Sequence, residues 1–241
     1  MRILIKLKSH QGIAIFPYFS YIQGLIYSLL KKSKLANLHK KSSYKFFCFS
    51  NLFPETGKLR NLIISSPNEN FLTFIAKKLI EKRKIKIGKE NFELKEIKFL
   101  TPKLNKNLKI VSVSPIILRI PKRKYSDYNI SSKFPFLYWR PQYPFEVFVR
   151  QLESNIFKKY KSFYQKDIKE FTIFQKFIFK KSVSIPLKIH GKKVIYIGSL
   201  WEFHFDFLDE KTKEILEFAM DCGFGEKNSL GFGFVNLKKI N

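Results

Sequence analysis

Residues 2 to 8 alternate apolar and basic side chains, with Ile3, Ile5 and Leu7 set against Arg2, Lys6 and Lys8. A period of two sends the two sets to opposite faces, which predicts a half-buried β-strand. Pro17 suits a helix start, and Tyr18, Ile22, Leu25, Ile26 and Leu29 then recur at helical spacing, predicting a helix over 17–32. Residues 44–50 and 59–66 predict strands. The segment from Ser66 offers Asn68 as an N-cap and an apolar stripe of Phe71, Phe74, Ile75 and Leu79, so a second helix follows. Residues 84–88 and 92–100 predict short strands. The order strand, helix, strand, strand, helix, strand is that of a ferredoxin-like βαββαβ unit.

The pattern then returns. Residues 109–120 predict a strand, and 121–143 read as a loop rich in Pro, Ser, Tyr and basic residues. Phe145, Phe148, Val149, Leu152, Ile156, Tyr160 and Phe163 mark a helix face. Residues 171–189 and 193–207 predict a long hairpin turned at His190–Lys193. Residues 209–221 predict a helix with acidic residues in its first turn and Gly223 beyond its end. A last strand is expected over 231–238. The reading is therefore an α+β chain of two tandem ferredoxin-like domains, 1–108 and 109–241.

Charge narrows the function. Lys and Arg number 46 against 19 Asp and Glu, a net charge of +27. Self-repulsion on that scale calls for an anionic partner. No acidic residue precedes Glu55, whereas Arg2, Lys6, Lys8, Lys31, Lys32, Lys34, Lys40, Lys41 and Lys45 do. Cys48 and Cys222 lie in apolar surroundings without CxxC spacing, so they read as buried free thiols in a reducing compartment. No apolar run approaches the ~18 residues of a membrane span. The start alternates like a strand and lacks the apolar core of a signal peptide, so a cytoplasmic protein with no membrane partner is expected.

The segment GFGEKNSLGFGF, residues 223 to 234, holds four of the ten glycines. A helix-to-strand turn needs one or two, so four suggest a surface that another backbone approaches closely. The spacing matches neither dinucleotide nor phosphate loops. This stretch resembles the C-terminal glycine-rich loop of the CRISPR repeat-processing endoribonucleases of the RAMP superfamily. YIQGLIY at 21–27 is similar to their first helix, and VSVSPI at 111–116 to the strand opening their second half. The resemblance implies two ferredoxin-like domains side by side and cleavage of precursor CRISPR RNA within each repeat, without metal or other cofactor. The ribose 2′-OH would attack the adjacent phosphate, leaving a 2′,3′-cyclic phosphate and a 5′-OH. Implied partners are the repeat RNA, as precursor and mature guide, and effector-complex subunits; monomer and homodimer stay open. A non-cleaving RNA-binding subunit of the same fold is the alternative. A DNA-binding architectural protein would explain the charge but not the glycine loop.

Such chemistry needs a base, an acid and a cation from side chains. Histidine has an unperturbed pKa of ~6.5. Of His10, His39, His190 and His204, the resemblance singles out His39, which sits in a leucine-histidine pair after the first helix. Lys40, Lys41 and Lys45 nearby would keep it neutral and basic. On a helical wheel Tyr27 points away from Leu29, beside Gln23 and Gly24, and the resemblance makes it catalytic. Lys45, six residues after His39, takes the family's lysine position. Gly223, Gly225, Lys227, Asn228, Gly231 and Gly233 are the expected RNA-binding residues. Two further features bear on function. Glu202, His204 and Asp206 share one strand face and could hold a metal, though a solvated sheet face is the commoner reason. The aromatic-basic segment 121–142 could stack unpaired bases on Tyr125, Tyr128 or Trp139.

Overall fold

The computed structural model describes residues 1–9, 19–31, 33, 44–189 and 191–238. Among these the chain is α+β, with two multistranded antiparallel sheets and four α-helices. The first half runs β1 (Arg2–Ser9), α1 (Phe19–Leu30), β2 (Cys48–Phe49), β3 (Phe53–Pro54), β4 (Leu59–Ser65), α2 (Glu69–Lys82), β5 (Lys84–Ile87) and β6 (Glu90–Leu100). The second runs β7 (Leu108–Ser112), β8 (Arg119–Pro121), β9 (Phe136–Tyr138), α3 (Phe145–Tyr164), β10 (Lys176–Ile189), β11 (Lys192–Phe205), α4 (Glu210–Cys222) and β12 (Val235–Leu237).

Sheet order in the first half is β2-β4-β1-β6-β5, with β3 also on β4; in the second it is β10-β11-β7-β12. In β1 the apolar positions Ile3, Ile5 and Leu7 are buried, as alternation requires, and pack with Ile22, Ile26 and Leu29 of α1 and Phe71, Leu72 and Ile75 of α2. Asn68 caps α2 by accepting from Phe71 N at 3.1 Å. A second core gathers Phe148, Leu152 and Ile156 of α3, Trp201, Phe203 and Phe205 of β11, and Ile215 and Phe218 of α4. Asp209 caps α4 by accepting from Thr212 N.

Three expectations need correction. The last strand, expected over 231–238, is only Val235–Leu237. The strand expected over 44–50 is only two residues long, Cys48–Phe49. The strand expected over 109–120 breaks after Ser112: Arg119–Pro121 pairs with Phe136–Tyr138 in a separate ribbon. The rings offered for base stacking are mostly core. Tyr125 and Trp139 are buried, and Trp139 lies 4.9 Å from Phe148 and 5.6 Å from Trp201 between ring centroids. Tyr128 packs on the same core, partly exposed.

The halves meet along two seams. Arg2 is buried, with Nη1 donating to Asn236 Oδ1 and Nη2 to the Met220 carbonyl, both at 3.1 Å, and its guanidinium lies over Phe234. A separate apolar cluster joins Phe19 of α1 to Leu187 and Tyr196 of the β10–β11 hairpin and to Leu230 and Phe232; Phe19 stacks on Phe232 at 4.7 Å. This second seam sets the first helix against the glycine-rich loop.

Candidate active site

The loop between α4 and β12 folds back on its own chain. All four of its glycines have positive φ, a conformation that costs other residues a Cβ clash. At Gly233 a Cβ would collide with the Phe224 carbonyl; at Gly231 it would sit 2.5 Å from the Phe49 ring. The close approach that the glycines permit is thus made by this protein's own backbone and rings. Gly223, Gly225, Gly231 and Gly233 are buried. The tip is not as the sequence suggested either. Lys227 is exposed, but the Asn228 side chain is buried and donates to the carbonyls of Phe224 (3.1 Å) and Phe232 (2.9 Å).

The loop is pinned from below by Lys159 of α3. Its buried ammonium donates to Gly223 O at 2.8 Å, Gly225 O at 2.6 Å and Asn228 Oδ1 at 2.6 Å. Three donors meet three acceptors, which is what a buried lysine requires. Burial still disfavours the charge and pulls its pKa down from 10.5 to about 8. The sequence held a signal for this residue: Lys159 falls seven after Leu152 and three after Ile156, on the apolar stripe of α3.

The loop tip then reaches α1. Gln23 Nε2 donates to the Ser229 carbonyl at 2.9 Å, and the Ser229 side chain lies close enough to the Tyr27 hydroxyl to act on it. Tyr27 does not leave the core as the wheel suggested. It is half-buried, packs on the first core and meets Phe47 edge to face at 6.1 Å. Burial raises its pKa above 10, with Ser229 opposing. A phenol so held keeps its proton at neutral pH, suiting it to donate rather than to act as a base.

Beside this junction opens a cavity of ≈ 540 Å³, lined by Tyr44, Lys45, Phe46 and Phe47, by Asn155 and Lys159 of α3, by Arg119, and by Gly225 to Ser229 of the loop. Its size is that of a small-ligand site. Lys45 and the Tyr27–Ser229 junction therefore border one cleft. His39 and His10 lie outside the described residues. Cys48 and Cys222 are buried free thiols; burial pushes Cys48 up to about 12, and its Sγ donates to the Phe232 carbonyl.

The Glu202–His204–Asp206 trio is elsewhere and is otherwise engaged. The Glu202 carboxylate binds His204 Nε2 at 2.6 Å and Lys180 and Lys238 Nζ at 3.2 Å each, which hold it down at about 2. Asp206 is exposed. Among the described residues no group of three His, Cys, Asp or Glu is arranged to hold a metal ion. Among them, too, no helix is long and apolar enough to cross a membrane.

Comparison with known proteins places this geometry in a family. The family described as CRISPR associated protein Cas6, C-terminal, matches residues 100–237. The CRISPR-associated endoribonuclease Cas6 2 of Methanocaldococcus jannaschii is 32% identical over 230 residues, spanning 89% of this chain and 90% of that one. The CRISPR-associated endoribonuclease Cas6 of Haloferax mediterranei is 25% identical over 252 residues, spanning 98% and 93%. A solved structure described as CRISPR associated protein Cas6 superposes with a TM-score of 0.71 at 25% identity, covering 99% of both chains.

Proposed function

Since the chain belongs to the Cas6 family of CRISPR-associated endoribonucleases, in the RAMP superfamily, we propose that it cuts precursor CRISPR RNA within each repeat without a metal. In this reading the 2′-OH beside the scissile phosphate attacks it, leaving a 2′,3′-cyclic phosphate and a 5′-OH. The observation that carries the reading is the convergence on one cleft of Lys45, the loop tip and, through Ser229, Tyr27. Each has a task there. Lys45 offsets the charge that develops on the phosphorane. Tyr27, kept protonated by burial, donates a hydrogen bond or proton. His39 is the proton carrier for the 2′-OH, assigned on the family resemblance alone. RNA lies against Lys227, Gly225 and Ser229 on the cleft wall, while Gly223, Gly231, Gly233 and Asn228 shape the loop from within.

The domain reading follows the same line: two tandem ferredoxin-like units, 1–108 and 109–241. In its support, each sheet sets a strand from beyond its second helix beside its first strand, β6 on β1 and β12 on β7, as the βαββαβ unit does. The repeat RNA, before and after cutting, is the partner, in the cytoplasm.

The test is a cognate repeat RNA incubated in EDTA, with and without a single 2′-deoxy sugar upstream of the scissile phosphate. The all-ribose RNA is expected to be cut, and the deoxy RNA to bind equally and stay whole. Cutting of the deoxy RNA would mean a water nucleophile. Cutting that stops in EDTA and resumes with a divalent ion would overturn the metal-free mechanism. Tight binding with no cutting under any condition would make the chain a non-cleaving RNA-binding subunit.

A further inference from the structure

Arg119 opens β8 and lines the same cleft as Lys45, and neither composition nor motif marks it. Its Nε donates to Glu226 Oε2 at 2.5 Å, and its backbone N–H donates to the other carboxylate oxygen at 3.0 Å. Glu226 is itself fixed, its N–H donating to the Ile117 carbonyl at 2.8 Å. The guanidinium lies over the Phe136 ring, 5.0 Å from the centroid. Two restraints thus fix the plane of the group. One edge is used, one face is covered, and Nη1 and Nη2 have no hydrogen bond to any described residue.

The Arg119 side chain is 39% exposed and lines the cleft with Lys45 and Lys227. Among the described residues, Glu226 is the one acidic residue on that lining, against Arg119, Lys45, Lys227 and Lys159, so the lining carries net positive charge. The Nη edge of a guanidinium presents two parallel N–H donors, the geometry that grips two oxygens of one phosphate.

We propose that Arg119 is a phosphate-binding residue: its Nη edge holds one backbone phosphodiester of the RNA in this cleft, with Glu226 and Phe136 aiming it. This rests on the reading of the cleft as the RNA site. It adds a contact supplied by the second half of the chain to a reaction whose candidate side chains all come from the first.

The test is a set of repeat RNAs, each carrying one neutral methylphosphonate in place of a phosphate, measured for equilibrium binding to the parent, Arg119→Ala and Arg119→Lys. Arg119→Ala is expected to bind unmodified RNA about tenfold or more weakly, as for a lost charge-assisted hydrogen bond. It should also be indifferent to one methylphosphonate that weakens the parent, while responding as the parent does at every other position. Arg119→Lys should keep part of the affinity and part of the sensitivity at that position. Unchanged affinity in Arg119→Ala would overturn the proposal. So would effects of variant and methylphosphonate that multiply at every position. Thermal denaturation checks the fold of each variant, and if loss of the Glu226 partner unfolds Arg119→Ala, the Arg119→Lys series carries the same comparison. Cleavage is read in the same tubes, so a parent that binds without cutting overturns the enzymatic reading and leaves the phosphate contact standing.

Discussion

Two lysines border the cleft and have opposite surroundings. Lys45 is half-exposed on the approach to β2, beside the half-exposed rings of Tyr44 and Phe46. Lys159 is buried, with every donor on the glycine loop. The two walls differ in the same way. On the side of the first half, Lys45 lines the cavity from the segment leading into β2, and Tyr27 of α1 lies behind Ser229. On the loop side three polar side chains are turned inward, Asn228 on the loop carbonyls, Lys159 beneath them, and Ser114 Oγ on the Gly231 carbonyl at 2.6 Å, while Arg119, Glu226, Lys227 and Ser229 line the cavity. In the proposed reaction the first wall supplies the proton carriers and the cation at the phosphorane, and the second holds a built shape that presents Ser229, Lys227 and Arg119. Substitutions on the first should cost rate with the fold intact. Substitutions that disturb the built shape of the second should cost stability first.

The largest expected effect is on the first wall. His39→Ala should lower single-turnover cleavage by ~10²–10⁴, the usual contribution of a general acid or base. Affinity should barely move, since a neutral imidazole adds little beside a net charge of +27. A variant that cuts at the parent's rate would transfer the proton-carrying role to another histidine, with His10 the next to test.

On the second wall Gly233→Val should destabilise by about 3 kcal/mol or more, since it forces a β-branched residue to φ +70° and into the Phe224 carbonyl. Urea denaturation measures it. Gly231→Val should act likewise through Phe49 and Phe19, so weaker RNA binding by that variant would not by itself report an RNA contact. A Gly233→Val protein as stable as the parent would remove the distinction between the walls.

Lys45→Ala and Tyr27→Phe refine the first wall. Loss of the Lys45 charge should slow cleavage by about 10–10² and weaken binding slightly, because the cation meets both ground state and transition state. Tyr27→Phe should slow cleavage by a similar or smaller factor and leave binding unchanged. Ser229→Ala should move rate in the same direction as Tyr27→Phe if the hydroxyl pair positions the phenol. Tyr27→Phe cleaving at the parent's rate would leave the phenol a packing group.

The same contrast explains what could be read from the chain. Periodicity located the four helices of the described residues, and the cap expected at Asn68 is there, while Asp209, read as part of the last helix's acidic first turn, is its cap. Periodicity failed at β2 and β8. There, Phe46 packs on the second core and Ile117 joins the cluster between the halves, while Phe47, Phe49, Ile116 and Leu118 stay in the core of their own half, and period two cannot distinguish these uses. The glycine loop was the strongest signal and was misread in its physics. Four bare positions did mean close approach, but Phe224, Phe49 and Ile117 of the same chain do the approaching. Tyr125 and Trp139 were misread for a related reason: an aromatic ring in a basic segment serves a core as readily as a base. Lys159 was legible from its place on the stripe of α3. Arg119 was not, because what marks it is a partner 107 residues away.

The smallest effect is the pH response of the buried lysine, and it separates the walls without RNA. In the unfolded chain the Lys159 amine keeps its proton to about 10.5; in the fold, desolvation brings it down to about 8, partly opposed by Cys222, Cys48 and Glu226 facing it. Below pH 8 both states are protonated and the full cost of burying the charge is present. Between 8 and 10.5 the unfolded state binds more protons, so this group's contribution makes stability rise with pH. The thiols work against it above pH 9. Burial raises both Cys48, to about 12, and Cys222, so the fold holds their protons after the unfolded chain has lost them, and stability falls. The clean window is therefore pH 8 to 9. Lys159→Met should be less stable throughout, since it leaves the Gly223 and Gly225 carbonyls and Asn228 Oδ1 without their donor. The parent's stability, less that of Lys159→Met, should climb across the window by at most about 1.4 kcal/mol per pH unit. Urea denaturation in half-unit steps measures it. Parallel profiles would mean that Lys159 keeps its charge with ordinary affinity, and that the loop is held by something other than a desolvated ammonium.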